Sequence, residues 1–172
     1  MNAIVSVTPS WGIGRDGALL VRNRADMRRF VELTMGGTVV MGRKTLQGFP
    51  GGPLKGRRNV VLTHAGAEAL PEGAEVANSV EQALRLIADT DPKDVWLIGG
   101  QSVYQELLPW CERAYVTLNH VEVEADAWFP PLDEEPGWVL ESREEGGVTT
   151  AGVPFEYLTY RQLEPRGLAE DE

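Results

Sequence analysis

One cysteine, Cys111, stands in the 172-residue chain, so no internal disulfide can form and the thiol content gives no reason to expect export. Histidine is almost as scarce. His64 and His120 are the only two, and neither belongs to a cluster with metal-ligand spacing. No apolar run approaches the roughly eighteen residues that a membrane span requires. Behind Met1 the chain goes directly into "AIVSV", without the basic segment of a secretory leader, so a cytoplasmic protein is expected. Positive charge is also in deficit. Sixteen Lys and Arg face 26 Asp and Glu, for a net charge of −10, which argues against a nucleic-acid partner because such binding rests on neutralising phosphates. Ser10, Ser79 and Ser102 have no base nearby in sequence to make a nucleophile of them.

What is present is 42% hydrophobic residues, ordinary for one folded domain with a real core. That domain is expected to occupy residues 1–163. The remaining acidic stretch, residues 164–172, has nothing to bury and should fray. Charge is unevenly spread: Arg22, Arg24, Arg28, Arg29, Arg43, Lys44, Lys55, Arg57 and Arg58 outnumber Asp16, Asp26 and Glu32 in the first third. A small anionic ligand is therefore compatible with an acidic protein.

Short branched runs, "AIVSV", "TVVM", "NVVLT", "AEVA" and "DVWLI", read as strands. Segments with helical spacing lie between most of them, as in "VEQALRLIA" and "SVYQELLPW". Two later runs, "RAYVTLNHV" and "FEYLTYRQL", flank an acidic, Pro-rich segment that ends in a hairpin-like "EEGGVTTAGVP". The stretch 8–22 has no period and carries Gly12, Gly14 and Gly17, which predicts a long reshaping loop. Strands alternating with helices predict an α/β fold with a mainly parallel sheet covered on both faces. Ligands in such folds collect beyond the carboxyl ends of strands. Three segments lie there: the helix bearing Asp26, "GRKT" and "IGGQS".

Each has a bland and a chemical reading. Gly42 before Arg43, Lys44 and Thr45 offers free amides, positive charge and a hydroxyl suited to phosphate, or simply a basic surface turn. Gly99 and Gly100 leave a bare backbone over which a pyrophosphate could lie, or mark a turn needing positive φ. Neither is a complete phosphate-loop or dinucleotide fingerprint. Asp26 is the sharpest feature. At about 100° per residue, Phe30, Thr34, Met27, Val31 and Leu33 share one arc of the helix, with Arg28, Glu32 and Arg29 opposite. Asp26 is the only acid on the apolar arc. Asn23 as N-cap with an acid at N3 explains an Asp there without explaining its side. A half-buried carboxylate needs partners, and a flat heterocycle with an amino group beside a ring nitrogen would supply them.

The pieces "GIGRDGALLVRNRADMRRF", "VVMGRKT", "PLKGRRNVVLT", "VWLIGGQSVY" and "AYVTLN", in this order and spacing, resemble the dihydrofolate reductases over nearly the whole chain. The resemblance implies a mainly parallel eight-stranded sheet flanked by helices on both faces, with NADPH as cofactor. It implies hydride transfer to carbon 6 of 7,8-dihydrofolate and protonation of nitrogen 5, giving tetrahydrofolate. Asp26 resembles the pocket acid that grips the pterin and assists protonation, and Thr117 the threonine bonded to it. Ile4 and Ile98 resemble strand-end residues whose carbonyls face the pterin. Met27 and Phe30, with Phe49 and Leu54 opposite, would wall the pocket, and Ser6 and Tyr104 would touch both ligands. Arg57 resembles the clamp on the glutamate α-carboxylate, whereas Arg58 fits a solvated strand leader.

For the cofactor, Gly99 and Gly100 resemble the pair beneath the pyrophosphate, with Gln101, Ser102 and Val103 following. Gly42, Arg43, Lys44 and Thr45, together with Leu62, Thr63 and His64, match positions around the phosphates and adenosine ribose. Ile13, Gly14, Gly17 and Leu19 belong to the loop that would close over the nicotinamide. The chain departs from the pattern in three places. Leu20 and Val21 replace a common Pro-Trp, Ser6 replaces a small apolar residue, and Ser102 stands where an arginine can occur. The rivals are the related pyrimidine reductase of riboflavin synthesis and a nucleotide-binding protein without turnover. No metal is implied, a monomer is expected, and antifolate inhibitors are plausible ligands.

Overall fold

The computed structural model describes residues 1–66 and 70–167. In chain order its strands and helices are β1 (Asn2–Val7), β2 (Gly12–Arg15), β3 (Ala18–Leu19), α1 (Arg24–Thr34), β4 (Thr38–Gly42), α2 (Arg43–Gln47), β5 (Arg58–Leu62) and β6 (Ala74–Ala77). Then follow α3 (Val80–Ile87), β7 (Val95–Gly99), α4 (Gln101–Leu107), β8 (Arg113–Asn119), β9 (Ala127–Trp128), β10 (Trp138–Val148) and β11 (Pro154–Gln162). An eight-stranded sheet runs β10-β11-β8-β1-β7-β4-β5-β6. Every pairing from β8 to β6 is parallel, and β11 is antiparallel to both β8 and β10. The parallel strands are the branched runs of the sequence. Val39, Val40, Val60 and Val61 are wholly buried because both faces of the sheet are covered.

One face carries α3, α4 and the larger core, which includes Leu84, Ile87, Val103, Leu107, Val116 and Phe129. The other face carries a smaller cluster around Ile4, Val39, Met41, Leu46, Val61 and Trp96, onto which Phe30 and Leu33 of α1 pack. Local signals set the helix ends: Asn23 caps α1 by accepting from the Asp26 N–H, and Ser79 caps α3 by accepting from the Gln82 N–H.

Several expectations need correction. The stretch 8–22 is not one irregular loop: β2 pairs with β3 and with β9 in a separate three-stranded sheet. Gly17, with φ +78°, forms the tight link between β2 and β3. β10, eleven residues long and mostly exposed, begins in the acidic segment and runs on as the first arm of the hairpin, and its lack of apolar alternation hid it. Residues 164–167 are not all free. The Arg166 N–H donates to the Pro109 carbonyl at 2.9 Å, and its guanidinium lies 5.2 Å from the Trp110 ring centroid. The rest of the expected tail, 168–172, lies outside the described residues. The packed arc of α1 is rotated as well: Met27 and Val31 are 50% and 39% exposed, while Arg29, placed on the polar arc, turns inward.

Candidate active site

Asp26 comes to the sheet because Asn23 fixes where α1 begins. The Asn23 Oδ1 accepts from the Asp26 N–H at 3.1 Å, which makes Asp26 the third helical residue and aims it at β8. There the Thr117 hydroxyl donates to Asp26 Oδ1 at 2.6 Å. Burial raises the Asp26 carboxyl above the usual carboxylate range, against the Thr117 bond and the Arg29 charge, which pull it down. Among the described residues Arg29 forms no ion pair with a carboxylate. Its guanidinium lies 4.0 Å from the Tyr157 ring centroid, and its Nη1 is buried without a hydrogen-bond partner.

Ile4, Phe30, Phe49, Leu54 and Ile98 all belong to the smaller apolar cluster beside Asp26. Met27 does not; it stands at the outer, half-exposed edge of α1. Ile98 occupies a bulge where the register of β7 against β4 shifts by a residue, a distortion often found beside sites. The Ile4 carbonyl accepts from the Tyr104 hydroxyl at 2.7 Å, and burial pushes the Tyr104 phenol far up.

Arg57 stands against Thr34, at the opposite end of α1 from Asp26. Among the described residues it donates to neutral oxygens, Thr34 Oγ1 at 3.2 Å and the Lys55 carbonyl at 3.0 Å, and burial lowers its pKa. Among the described residues no carboxylate pairs with it. Arg58, by contrast, holds Glu75 through two bonds of 2.6 and 3.0 Å. The arrangement therefore has a carboxylate, an apolar wall and an uncompensated guanidinium. It suits a flat body with a donor edge and an anionic tail.

The second half of the site lies at the ends of β4, β5 and β7. Gly42 caps α2, and Gly99, with φ +123°, is joined to Gly100 by a cis peptide. The Gly99 and Gly100 backbones face Thr45 Oγ1, where an added Cβ would come to 3.5 or 3.7 Å, an ordinary contact, and it is the positive φ of Gly99 that favours glycine there. A Cβ at Gly42 would similarly come to 3.4 Å from Val103. Arg43 and Lys44 are exposed and have no carboxylate partner among the described residues. Leu62 ends β5, Thr63 and the exposed His64 follow, and Ser102 is exposed at the start of α4. Bare backbone, a hydroxyl and unpaired cations fit the phosphates of NADPH. Ile13 and Gly14 lie in β2, and Leu19 in β3 is 65% exposed. Gln101 ties this sheet to the glycine turn by accepting from the Trp128 N–H at 2.9 Å. Leu20 packs onto Gly12, where an added Cβ would come within 3.0 Å of its Cδ1.

Sequence reading missed Tyr157, the inward Arg29 and Asn119. It also missed the alternating acids Glu122, Glu124 and Asp126, which hold the first glycine-bearing segment. Glu122 accepts from Ser10, Glu124 pairs with Arg15, and Asp126 accepts from the Asp16 N–H. The period of two in those acids was a readable sign of an extended, one-sided contact. Among the described residues no group of acids, histidines and cysteine could hold a metal.

Comparison with known proteins agrees with this geometry. The sequence model described as "Dihydrofolate reductase" matches residues 1–162. The chain is 45% identical over 157 residues to the dihydrofolate reductase of Mycobacterium leprae (strain TN), covering 87% of this chain and 90% of that one. It is 34% identical over 151 residues to that of Bacillus subtilis (strain 168), covering 87% of each. Among solved structures, dihydrofolate reductase from Enterococcus faecalis complexed with NADP(H) and RAB-propyl aligns with a TM-score of 0.83. That alignment has 32% identity and covers 94% of this chain and 95% of the other. With the family model spanning residues 1–162 and relatives of this identity matched over most of their length, this chain belongs to the dihydrofolate reductase family.

Proposed function

We infer that the chain catalyses NADPH-dependent reduction of 7,8-dihydrofolate to 5,6,7,8-tetrahydrofolate, with Asp26 as the group on which recognition and protonation turn. The observation that carries this is a carboxylate in an apolar setting, whose Oδ1 accepts from a hydroxyl at 2.6 Å while, among the described residues, no hydrogen bond is seen to Oδ2. Such an oxygen pair accepts from the 2-amino group and nitrogen 3 of a pterin. Because burial holds its pKa high, Asp26 also favours proton delivery to nitrogen 5 through water. NADPH, when bound, supplies the hydride that reaches carbon 6.

The other residues bind and orient. Ile4, Phe30, Phe49, Leu54 and Ile98 hold the pteridine and aminobenzoyl rings, with Met27 covering their outer edge, and Arg57 clamps the α-carboxylate of the glutamate tail. Gly99 and Gly100 would hold the pyrophosphate, and Arg43, Lys44, Thr45, Thr63 and His64 would hold the phosphates and adenosine ribose. Ser102 carries no charge, so the preference for NADPH over NADH rests on the remaining cations. The segment with Ile13, Gly14, Gly17 and Leu19 would cover the nicotinamide and exclude water. We further propose that residues 1–163 act as one domain, as a monomer in the cytoplasm, and that antifolates compete for the Asp26 cleft. No described helix is long and apolar enough to cross a membrane.

The test is NADPH oxidation with dihydrofolate, run beside Asp26→Asn. Turnover in the parent and a loss of about a hundredfold in the variant at neutral pH, partly relieved in acid, is expected. Equal rates in the two proteins would remove Asp26 from the mechanism.

A further inference from the structure

Asn119 ends β8 with no solvent exposure at all, and nothing in the mechanism above uses it. Its Nδ2 donates to the Val7 carbonyl at 3.1 Å and to Ser6 Oγ at 2.8 Å. A carbonyl can only accept, so the amide nitrogen must face β1 and Oδ1 must face away from it. That oxygen accepts from Asn23 Nδ2 at 3.2 Å. Asn23 is thereby committed to turn its own Oδ1 toward the helix, where it takes the Asp26 N–H at 3.1 Å. The same face of β8 thus holds Asp26 twice. Thr117 grips the carboxylate directly, and Asn119, two residues on, holds the backbone through Asn23.

We propose that Asn119 is a positioning residue for the reductase reaction: its buried amide sets the direction of a hydrogen-bond chain from β1 through Asn23 to the Asp26 backbone, and so fixes where the Asp26 carboxylate stands. This rests on the reading of Asp26 given above. It differs from a strut between β1 and β8 in one respect. A strut would act equally whatever capped α1, whereas orienting Asn23 matters only when the cap is an amide with two distinguishable ends. A serine cap accepts through its single hydroxyl oxygen and needs no such orientation.

Four proteins decide the matter: the parent, Asn119→Ala, Asn23→Ser and the double variant. The first readout is the titration of the Asp26 side-chain carboxyl followed by carbon-13 NMR in the ligand-free protein. The second is the pH profile of kcat for NADPH oxidation with dihydrofolate, with NADPH affinity measured alongside. Arg29 on the same helix, Tyr157 on β11 and Tyr104 on α4 are the charged and titratable groups whose fields reach Asp26. None of the three is substituted in any variant, so a change in titration reports on the setting of Asp26 itself.

In Asn119→Ala the Asp26 midpoint should fall by about half a pH unit as the loosened carboxylate gains water. The pH profile should move with it, and kcat at neutral pH should drop about tenfold, with NADPH affinity unchanged. Added to Asn23→Ser, the same substitution should change neither quantity further. A parent-like midpoint in Asn119→Ala, or additive effects in the double variant, would overturn the proposal, whatever the thermal stability does. Should Asn119→Ala fail to fold, Asn119→Leu fills a similar volume without the amide and carries the same readouts. A parent without dihydrofolate turnover would sink the proposed reaction, while the titration would still decide the role of Asn119.

Discussion

The Thr117 hydroxyl reaches from the middle of β8 to Asp26 Oδ1 in the first turn of α1, at 2.6 Å, and works against the burial that surrounds the acid. A hydrogen bond to the charged form favours ionisation, while desolvation opposes it, and here desolvation dominates. Thr117→Val keeps the shape and removes the donor. The Asp26 carboxyl should then titrate higher still, and the pH dependence of dihydrofolate reduction should move upward with it. A pH–rate profile showing no movement, or movement toward acid, would mean that the hydroxyl does not govern the acid's ionisation.

The same raised pKa has a consequence for stability. Unfolded, Asp26 ionises near its ordinary value of 3.8; folded, it holds its proton to higher pH. The native state therefore binds more protons through this window, and stability falls as pH rises from the unfolded to the folded pKa. The cost is absent below pH 3.8 and complete above the folded value. Asp26→Asn should accordingly raise the Tm of the ligand-free protein at neutral pH by about 2 °C or more, with the gain vanishing in acid. A variant less stable than the parent at neutral pH would contradict a carboxyl that burial holds protonated to higher pH.

Most of the scaffold was legible because parallel strands buried on both faces must be branched and apolar, so "TVVM", "NVVLT" and "DVWLI" announced themselves. Asn23 as the cap of α1 was legible too, since capping is chemistry over three residues. β10 was not: it lies at the sheet edge, carries Glu141, Arg143, Glu144 and Glu145, and is mostly exposed, so no hydrophobic period marks it. Arg29 shows the limit of a helical wheel. An arginine counts as polar on the wheel, yet its flat guanidinium stacks on Tyr157, which comes from β11 far along the chain. Asn119 was invisible for a related reason, because its partners Ser6, Val7 and Asn23 are supplied by other elements.

Arg57 and Arg58 are neighbours with opposite circumstances, and that separates binding from stability. Arg58 is occupied by Glu75 in a bidentate pair, while Arg57 has only neutral acceptors. Arg57→Leu should raise the KM for dihydrofolate roughly a hundredfold, the effect of losing a charge-assisted bidentate contact. Binding of an analogue lacking the glutamate carboxylates should hardly change. Arg58→Leu should leave both affinities alone. Equal losses for the two ligands in Arg57→Leu would refute the clamp.

Glu122, Glu124 and Asp126 hold the stretch 8–22 in two chemically different ways, and the difference predicts a ranking. Arg15 and Glu124 approach to 2.7 Å, but their side chains are 49% and 79% exposed, so the pair contributes at most about 1 kcal/mol. Glu122 instead accepts from the Ser10 N–H at 3.1 Å and the Ser10 hydroxyl at 2.8 Å, which ties the chain itself. Asp126 does the same for the Asp16 N–H at 2.9 Å. Glu122→Ala should speed hydrogen exchange at the Ser10 amide about tenfold, and Glu124→Gln should leave it nearly unchanged. Because β2 and β3 carry Ile13, Gly14 and Leu19 toward the proposed nicotinamide cover, Glu122→Ala should also lower kcat a few-fold without altering the KM for dihydrofolate. An effect of Glu124→Gln as large as that of Glu122→Ala would show that long-range charge, rather than these backbone tethers, keeps the segment in place.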